Sequence, residues 1–190
     1  MATPVRILAF AGSARRESLN RKFLAYAVDA ARKTGGEVTL LDLNEFSMPL
    51  YHGDLEDREG LPESAARLAR EIAAHDALLV ASPEYNSMIT PLLKNTLDWC
   101  SRHDTDPFKG KVAAVISASP GPFGGVRSLF MAQQLLLRLG CTVVPGQAAL
   151  VHAGRAFDAA DRLTDVHAQK SVQALVAQLV GTARLLAPAP

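Results

Sequence analysis

The chain alternates short, nearly continuous apolar runs with longer segments whose apolar positions recur at helical spacing. The runs are Val5 to Phe10, Val38 to Leu43, Asp76 to Ala81, Lys111 to Ala118 and Thr142 to Val151. Such runs predict strands buried on both faces. Arg6 interrupts the first and Pro145-Gly146 the fifth. Between them, Leu19, Phe23, Tyr26, Ala27 and Ala30 mark a helix that Gly35-Gly36 stops. Leu61 to Ala74 predicts a second helix, with Ala65, Leu68, Ala69 and Ile72 on one face. A third starts at Pro91 behind an N-cap at Thr90. Val126, Leu129, Phe130, Gln133, Leu136 and Leu137 stripe a fourth, ended by Gly140. The last helix is expected from about Ala160 to Leu186, with Ala187-Pro188-Ala189-Pro190 fraying. Met48-Pro49-Leu50-Tyr51 and the acidic Asp54-Leu55-Glu56-Asp57 read as irregular chain.

Strands alternating with helices predict a mostly parallel sheet, right-handed crossovers and helices on both faces. The expected architecture is a doubly wound five-stranded α/β sheet of order 2-1-3-4-5, in one domain over residues 1–190. In that order the first, third and fourth strands are neighbours, and ligands bind beyond their carboxyl ends. The loops there are Gly12–Ser18, Pro83–Ile89 and Ser119–Gly125.

Bulk composition changes this picture little. In 190 residues, 48% are hydrophobic and 21% charged, as in ordinary globular domains. The net charge of +1 gives no field to gather nucleic acid. No apolar run is long enough to span a bilayer. Met1-Ala2-Thr3-Pro4 has no basic region before the apolar run, so no signal peptide is expected and cytoplasm is the default. Cys100 and Cys141 stand far apart and read as buried thiols. His52, His75, His103, His152 and His167 have no metal-ligand spacing, so no metal is expected.

The first loop carries Ser13, Arg15, Ser18 and Asn20 at the mouth of a helix. Hydroxyls, a guanidinium and unpaired helix amides suit a single phosphate monoester. The same residues also suit an N-cap with solvated arginines. With only Gly12, neither the dinucleotide fingerprint nor the triphosphate loop is present. In the second loop Pro83 stiffens the chain, while Glu84, Tyr85 and Asn86 offer an acceptor, a flat ring and an amide. That set suits a flat heterocycle. Tyr85 reads as a stacking platform or a rim tyrosine, and Glu84 as an edge acceptor or a solvated carboxylate. Lys94, Asn95, Asp98 and Trp99 read as packing and positioning groups. Arg127 reads as a phosphate ligand or a surface or subunit contact. No nucleophile elbow and no paired catalytic carboxylates are present.

Three motifs in this order resemble the NADPH-dependent FMN reductases. They are Gly12-Ser13-x-Arg15-x-x-Ser18-x-Asn20; Pro83-Glu84-Tyr85-Asn86 with Leu93-Lys94-Asn95 and Asp98-Trp99; and Ser119-x-Gly121-x-x-Gly124-Gly125-x-Arg127. The resemblance covers about residues 4 to 150. It implies a flavodoxin-like fold, bound FMN, NADPH or NADH as co-substrate, and commonly a homodimer or homotetramer. It also implies a small acceptor such as a quinone, chromate, an azo compound or free flavin. Ser13, Arg15, Ser18 and Asn20 would hold the FMN phosphate. Pro83, Glu84, Tyr85 and Asn86 would line the ring and ribityl chain, with Ser119 and Gly121 near the pyrimidine edge. Where many members carry Ser and then Pro, this chain has Met88 and Thr90, with Pro91 one step on. That implies a different helix start and a more apolar wall.

Flavin carries the hard chemistry, so no side-chain catalyst is expected. Nicotinamide and acceptor are expected to alternate on one exposed flavin face, with backbone N–H groups of Pro83–Ser87 stabilising the reduced ring. One alternative is a flavodoxin-type electron carrier without nicotinamide activity, against which the balance of 20 basic and 19 acidic residues argues. Another is a non-catalytic binding protein on the same fold.

Overall fold

The computed structural model describes residues 4–187. The expectations for the extreme amino terminus and for Pro188–Pro190 fall outside that span. Strands β1 (Val5–Ala11), β2 (Gly36–Leu41), β3 (Ala77–Ala81) and β6 (Val112–Ala118) form a parallel sheet in the order β2-β1-β3-β6. The fifth position is shared by β7 (Thr142–Val143) and β8 (Ala148–Leu150). The first pairs with Val112–Ala113 and the second with Ile116–Ala118. The break at Pro145-Gly146 thus leaves one strand position in two pieces, and the order is the expected 2-1-3-4-5.

Side chains alternate across the sheet as a pleated strand requires. Ile7, Ala9, Ala11, Leu79, Ala81, Ala114 and Ile116 pack under α1 (Leu19–Lys33) and α6 (Val166–Leu186). Leu8, Phe10, Leu78, Val80, Ala113 and Val115 pack on the other face. There α3 (Glu63–Ala74), α4 (Pro91–Cys100) and α5 (Val126–Arg138) cover them. The predicted stripe of α3 is fully buried at Ala65, Leu68, Ala69 and Ile72.

Four expectations need correction. The stretch Pro83–Ile89 is not a plain loop, because β4 (Glu84–Tyr85) and β5 (Met88–Ile89) pair as an antiparallel hairpin. Its two turn residues, Asn86 and Ser87, both have positive φ, 51° and 65°. That is the signature of the tight turn whose twist matches a hairpin. The irregular stretch after β2 contains α2 (Gly53–Glu59), which buries none of its residues and so leaves no apolar period to read. The last helix starts at Val166, capped by Asp165 on the Ala168 N–H, because Asp158 first closes a turn around Arg162. On α5 the predicted stripe splits: Leu129 and Leu136 are buried, while Phe130 and Leu137 are 51% and 57% exposed.

Candidate functional site

The loops after β1, β3 and β6 meet above the sheet. A shallow cleft of about 100 Å³ lies between them, lined by Ser13, Arg15, Ser18, Leu19, Asn20, Pro83, Glu84, Tyr85, Ala118, Ser119 and Pro120. Eight of the residues singled out in the sequence face it. Asn86 stands at the tip of the hairpin and Gly121 lies just past Pro120, and neither lines the cleft. Leu19, Ala118 and Pro120 do line it, and as small or apolar residues they carried no chemical signal.

The first loop is pinned before it reaches the cleft. Gly12 donates its N–H to Ala81 O at 2.9 Å, and its carbonyl accepts from Thr90 Oγ1 at 2.6 Å. A Cβ on Gly12 would stand 2.7 Å from Leu93 Cβ, so the loop lies against α4 only because glycine is there. Ser18 caps α1, accepting from Arg21 N at 3.3 Å. Ser13 Oγ accepts from Arg15 N at 3.4 Å. Both serines are buried, whereas Arg15 is exposed. Among the described residues its guanidinium has no hydrogen-bond or ion-pair partner.

Asn20 plays a different part. Its amide donates to Ala118 O at 2.8 Å and accepts from Ala118 N at 2.9 Å. This two-way bond ties the start of α1 to the end of β6 and fixes the spacing of the first and third loops.

Glu84 also points away from a simple edge contact. Its Oε2 accepts from the N–H of Arg127 at 3.0 Å and of Ser128 at 3.3 Å, and its Oε1 from Arg127 Nη1 at 3.2 Å. The carboxylate therefore caps the amino end of α5, whose own N-cap, Gly125, has no side chain to do so. Ser128 Oγ donates to Ser82 O at 2.8 Å and Ser117 Oγ donates to Gly124 O at 2.8 Å. Sequence reasoning missed this cluster because Arg127 and Ser128 stand 43 and 44 residues from Glu84 along the chain. The Gly-Gly pair was the one available signal. At Gly124, φ is 60° and a Cβ would lie 3.0 Å from the backbone carbons of Ala149 and Leu150.

The third loop is fastened from behind. Ser119 N donates to Leu150 O, while Ala153 N and His152 N donate to Ser119 O and Gly121 O, at 3.0–3.1 Å. Tyr85 on the cleft wall is about half exposed, as are Met88 on the hairpin and Phe123 in the third loop, with the Arg127 guanidinium 4.7 Å above the Phe123 ring. Tyr85 and Met88 face one another across the hairpin.

Several other features lie away from the cleft. Tyr51, Asn95 and Trp99 clamp the segment before α2 onto α4. Trp99 Nε1 and Asn95 Nδ2 both donate to Pro49 O, at 2.8 and 2.9 Å. Lys94 and Asp98 form an exposed ion pair on the same helix. These residues position and pack, as their spacing suggested. Burial pushes the thiols of Cys100 and Cys141 up to about 12, which leaves them uncharged and inert. A larger hollow of about 260 Å³ lies on the far side of Ser13, crossed by an Arg21–Asp42 ion pair at 2.6 Å. Its lining includes no residue of the hairpin or of the third loop.

The donor set fits FMN. Serine hydroxyls, a free guanidinium and the first amides of α1 suit a monophosphate, while Pro83 and Tyr85 suit a flat ring. Comparison with known proteins agrees. The model of the NADPH-dependent FMN reductase family matches residues 5–155. An NAD(P)H-dependent FMN reductase of Pseudomonas aeruginosa is 35% identical over 174 residues, 91% of this chain and 92% of its relative. A quinone reductase of Pseudomonas putida is 35% identical over 157 residues, 81% and 82% of the two chains. The structure of FerB, a flavoenzyme NAD(P)H:(acceptor) oxidoreductase from Paracoccus denitrificans, superposes with a TM-score of 0.79. That match is at 31% identity and covers 94% of this chain and 97% of the other. Sequence, fold and cleft thus lead to one assignment: the chain belongs to the NADPH-dependent FMN reductase family.

Proposed function

We propose that residues 1–190 act as one flavin-binding domain whose cleft holds FMN by its phosphate at the amino end of α1. The reaction class is that of the family, an NAD(P)H-dependent reduction through FMN. The observation that carries the placement is the meeting of Arg15, Ser13 and Ser18 with Pro83 and Tyr85 in one cleft. In this reading Arg15 closes on the phosphate and the two serine hydroxyls turn toward it. Asn20 keeps the first and third loops apart at a fixed distance through Ala118. Pro83 and Tyr85 form the wall against the ring, with Ser119 and the Gly121 backbone at its edge and Asn86 at the hairpin tip. Bound FMN supplies two-electron transfer at its ring, accepting hydride and passing electrons on.

The cleft is shallow, so a flat ring held there would keep one face open. Nicotinamide and acceptor would use that face in turn. The hairpin that bears the cleft residue Tyr85 also exposes Met88 opposite it, and these largely apolar side chains favour a planar apolar acceptor such as a quinone over chromate. Because the exposed Phe130 and Leu137 lie seven residues apart on α5, we also propose that a second copy covers that face in a homodimer or homotetramer. Sedimentation at micromolar concentration tests this, and a monomer would refute it.

The deciding experiment on function is spectroscopic. Purified protein should carry a flavin absorption band, and anaerobic NADPH should bleach it within the turnover time. Colour without bleaching by NADPH or NADH would make the chain an electron carrier. Failure to bind FMN at all would overturn the site. Initial-rate lines against NADPH at several quinone concentrations should run parallel.

A further inference from the structure

We infer that Glu84 is a positioning residue that locks the hairpin to the third loop, so that two walls of the cleft move as one. The inference rests on the flavin reading above. It starts from a mismatch. Gly124 and Gly125 both have positive φ, 60° and 82°, and Gly125 provides α5 with no side-chain cap. A helix that begins this way leaves its first N–H groups without partners. Here those of Arg127 and Ser128 are satisfied from another element, by one carboxylate oxygen of Glu84. The second oxygen takes the Arg127 guanidinium. The Glu84 side chain is only 14% exposed, so these bonds are made largely out of water.

Two further contacts make the latch a rigid one. Ser128 Oγ donates to Ser82 O at 2.8 Å, at the root of the hairpin, and lies 3.1 Å from Gly125 O. A Cβ on Gly125 would sit 3.1 Å from Ser117 Cβ and 3.7 Å from Glu84 Cβ, so loop, hairpin and β6 pack with no slack. The charge has a consequence as well. A carboxylate at the amino end of α5 answers the positive end of that helix. The amino end of α1, which has Arg15 beside it and no acidic residue in its first turn, remains the end that accepts an anion. One cleft thereby presents one phosphate-binding pole, which fixes which way round a phosphorylated flavin lies.

The test compares Glu84→Ala, Glu84→Gln and Arg127→Ala with the parent. FMN affinity is read by quenching of flavin fluorescence on titration with apoprotein. Amide hydrogen exchange of the apoprotein is read separately over residues 82–90 and 119–130. Glu84→Ala is expected to weaken FMN about tenfold, the size of a lost charge-assisted helix cap. It should also speed exchange in both segments together. Glu84→Gln keeps an acceptor oxygen and restores part of both effects. Arg127→Ala leaves the two backbone bonds in place and loses less than Glu84→Ala. If Glu84→Ala does not fold, the order parent, Arg127→Ala, Glu84→Gln in both readouts carries the test. The inference is overturned if Glu84→Ala matches the parent in either readout, or if only one of the two segments loosens. A parent protein that shows coupled exchange but binds no FMN would refute the flavin reading and leave the latch standing.

Discussion

Arg15 is the residue on which the proposed orientation of the cofactor turns. The sequence singled it out because arginine between two serines at a helix start suits a phosphate. The structure adds that both serines are buried while Arg15 is left without a protein partner among the described residues. Arg15→Ala should weaken FMN about tenfold, the low end for a charge-assisted bond at an exposed position. Riboflavin, which has no phosphate, should bind parent and variant equally. An equal loss for both ligands would count against the phosphate assignment. Ser82 gives a second test at this scale. It is fully buried at the end of β3, and its Oγ has no hydrogen-bond partner among the described residues. An unsatisfied buried hydroxyl costs about 1–3 kcal/mol, so Ser82→Ala should hold or raise stability by about 1 kcal/mol in urea unfolding. Nothing in the sequence could have marked that hydroxyl, since serine before proline reads as a turn residue. Glu84 was harder still. Its partners at Arg127 and Ser128 become neighbours only once β3 and β6 lie side by side.

At the scale of elements, the start of α4 was legible while the hairpin turn before it was not. Thr90 and Pro91 open α4 as their types require, with Thr90 Oγ1 accepting from Leu93 N at 3.2 Å. The same hydroxyl donates to Gly12 O, so one side chain caps α4 and anchors the first loop. Thr90→Val removes the cap and leaves a buried carbonyl unpaired. A loss of about 2–4 kcal/mol is expected, by summing the usual cap and orphan-acceptor costs. Thr90→Ser should recover most of it, and FMN affinity should follow the same order. The hairpin β4–β5 escaped notice because Asn-Ser is a weak turn signal beside Asn-Gly, and because two-residue strands are too short to show alternation. The helix α2 escaped because it buries nothing. The stripe on α5 was read too wide, since Phe130 and Leu137 share its spacing but point outward.

For the whole molecule, alternation of strands and helices gave the parallel sheet covered on both faces, and the family resemblance gave the flavodoxin-like order in which the three loops converge. The opposite end of the sheet holds the clearest pH-sensitive contact. Arg6 clasps Asp76 through Nε, Nη2 and its backbone N–H, at 2.8–3.3 Å, beside the pairing of β1 with β3. Burial pushes the Asp76 carboxyl up, but the Arg6 bonds and the nearby Lys111 outweigh it and hold the group below its ordinary 3.8. Its stabilisation is therefore complete above that value and is lost as pH falls through the lower folded one. Arg6→Ala should move the acid-unfolding midpoint to higher pH, followed by circular dichroism, with at most about 1 kcal/mol lost at neutral pH for so exposed a pair.

The divided fifth strand has a consequence beyond topology. Between its two pieces Pro145 has no N–H to offer, and the Gly146 N–H is taken by Gln178 Oε1 at 3.0 Å. The border at the fifth position therefore presents no unbroken ladder onto which a stray chain could zip, one of the ways sheet proteins guard against edge-to-edge growth.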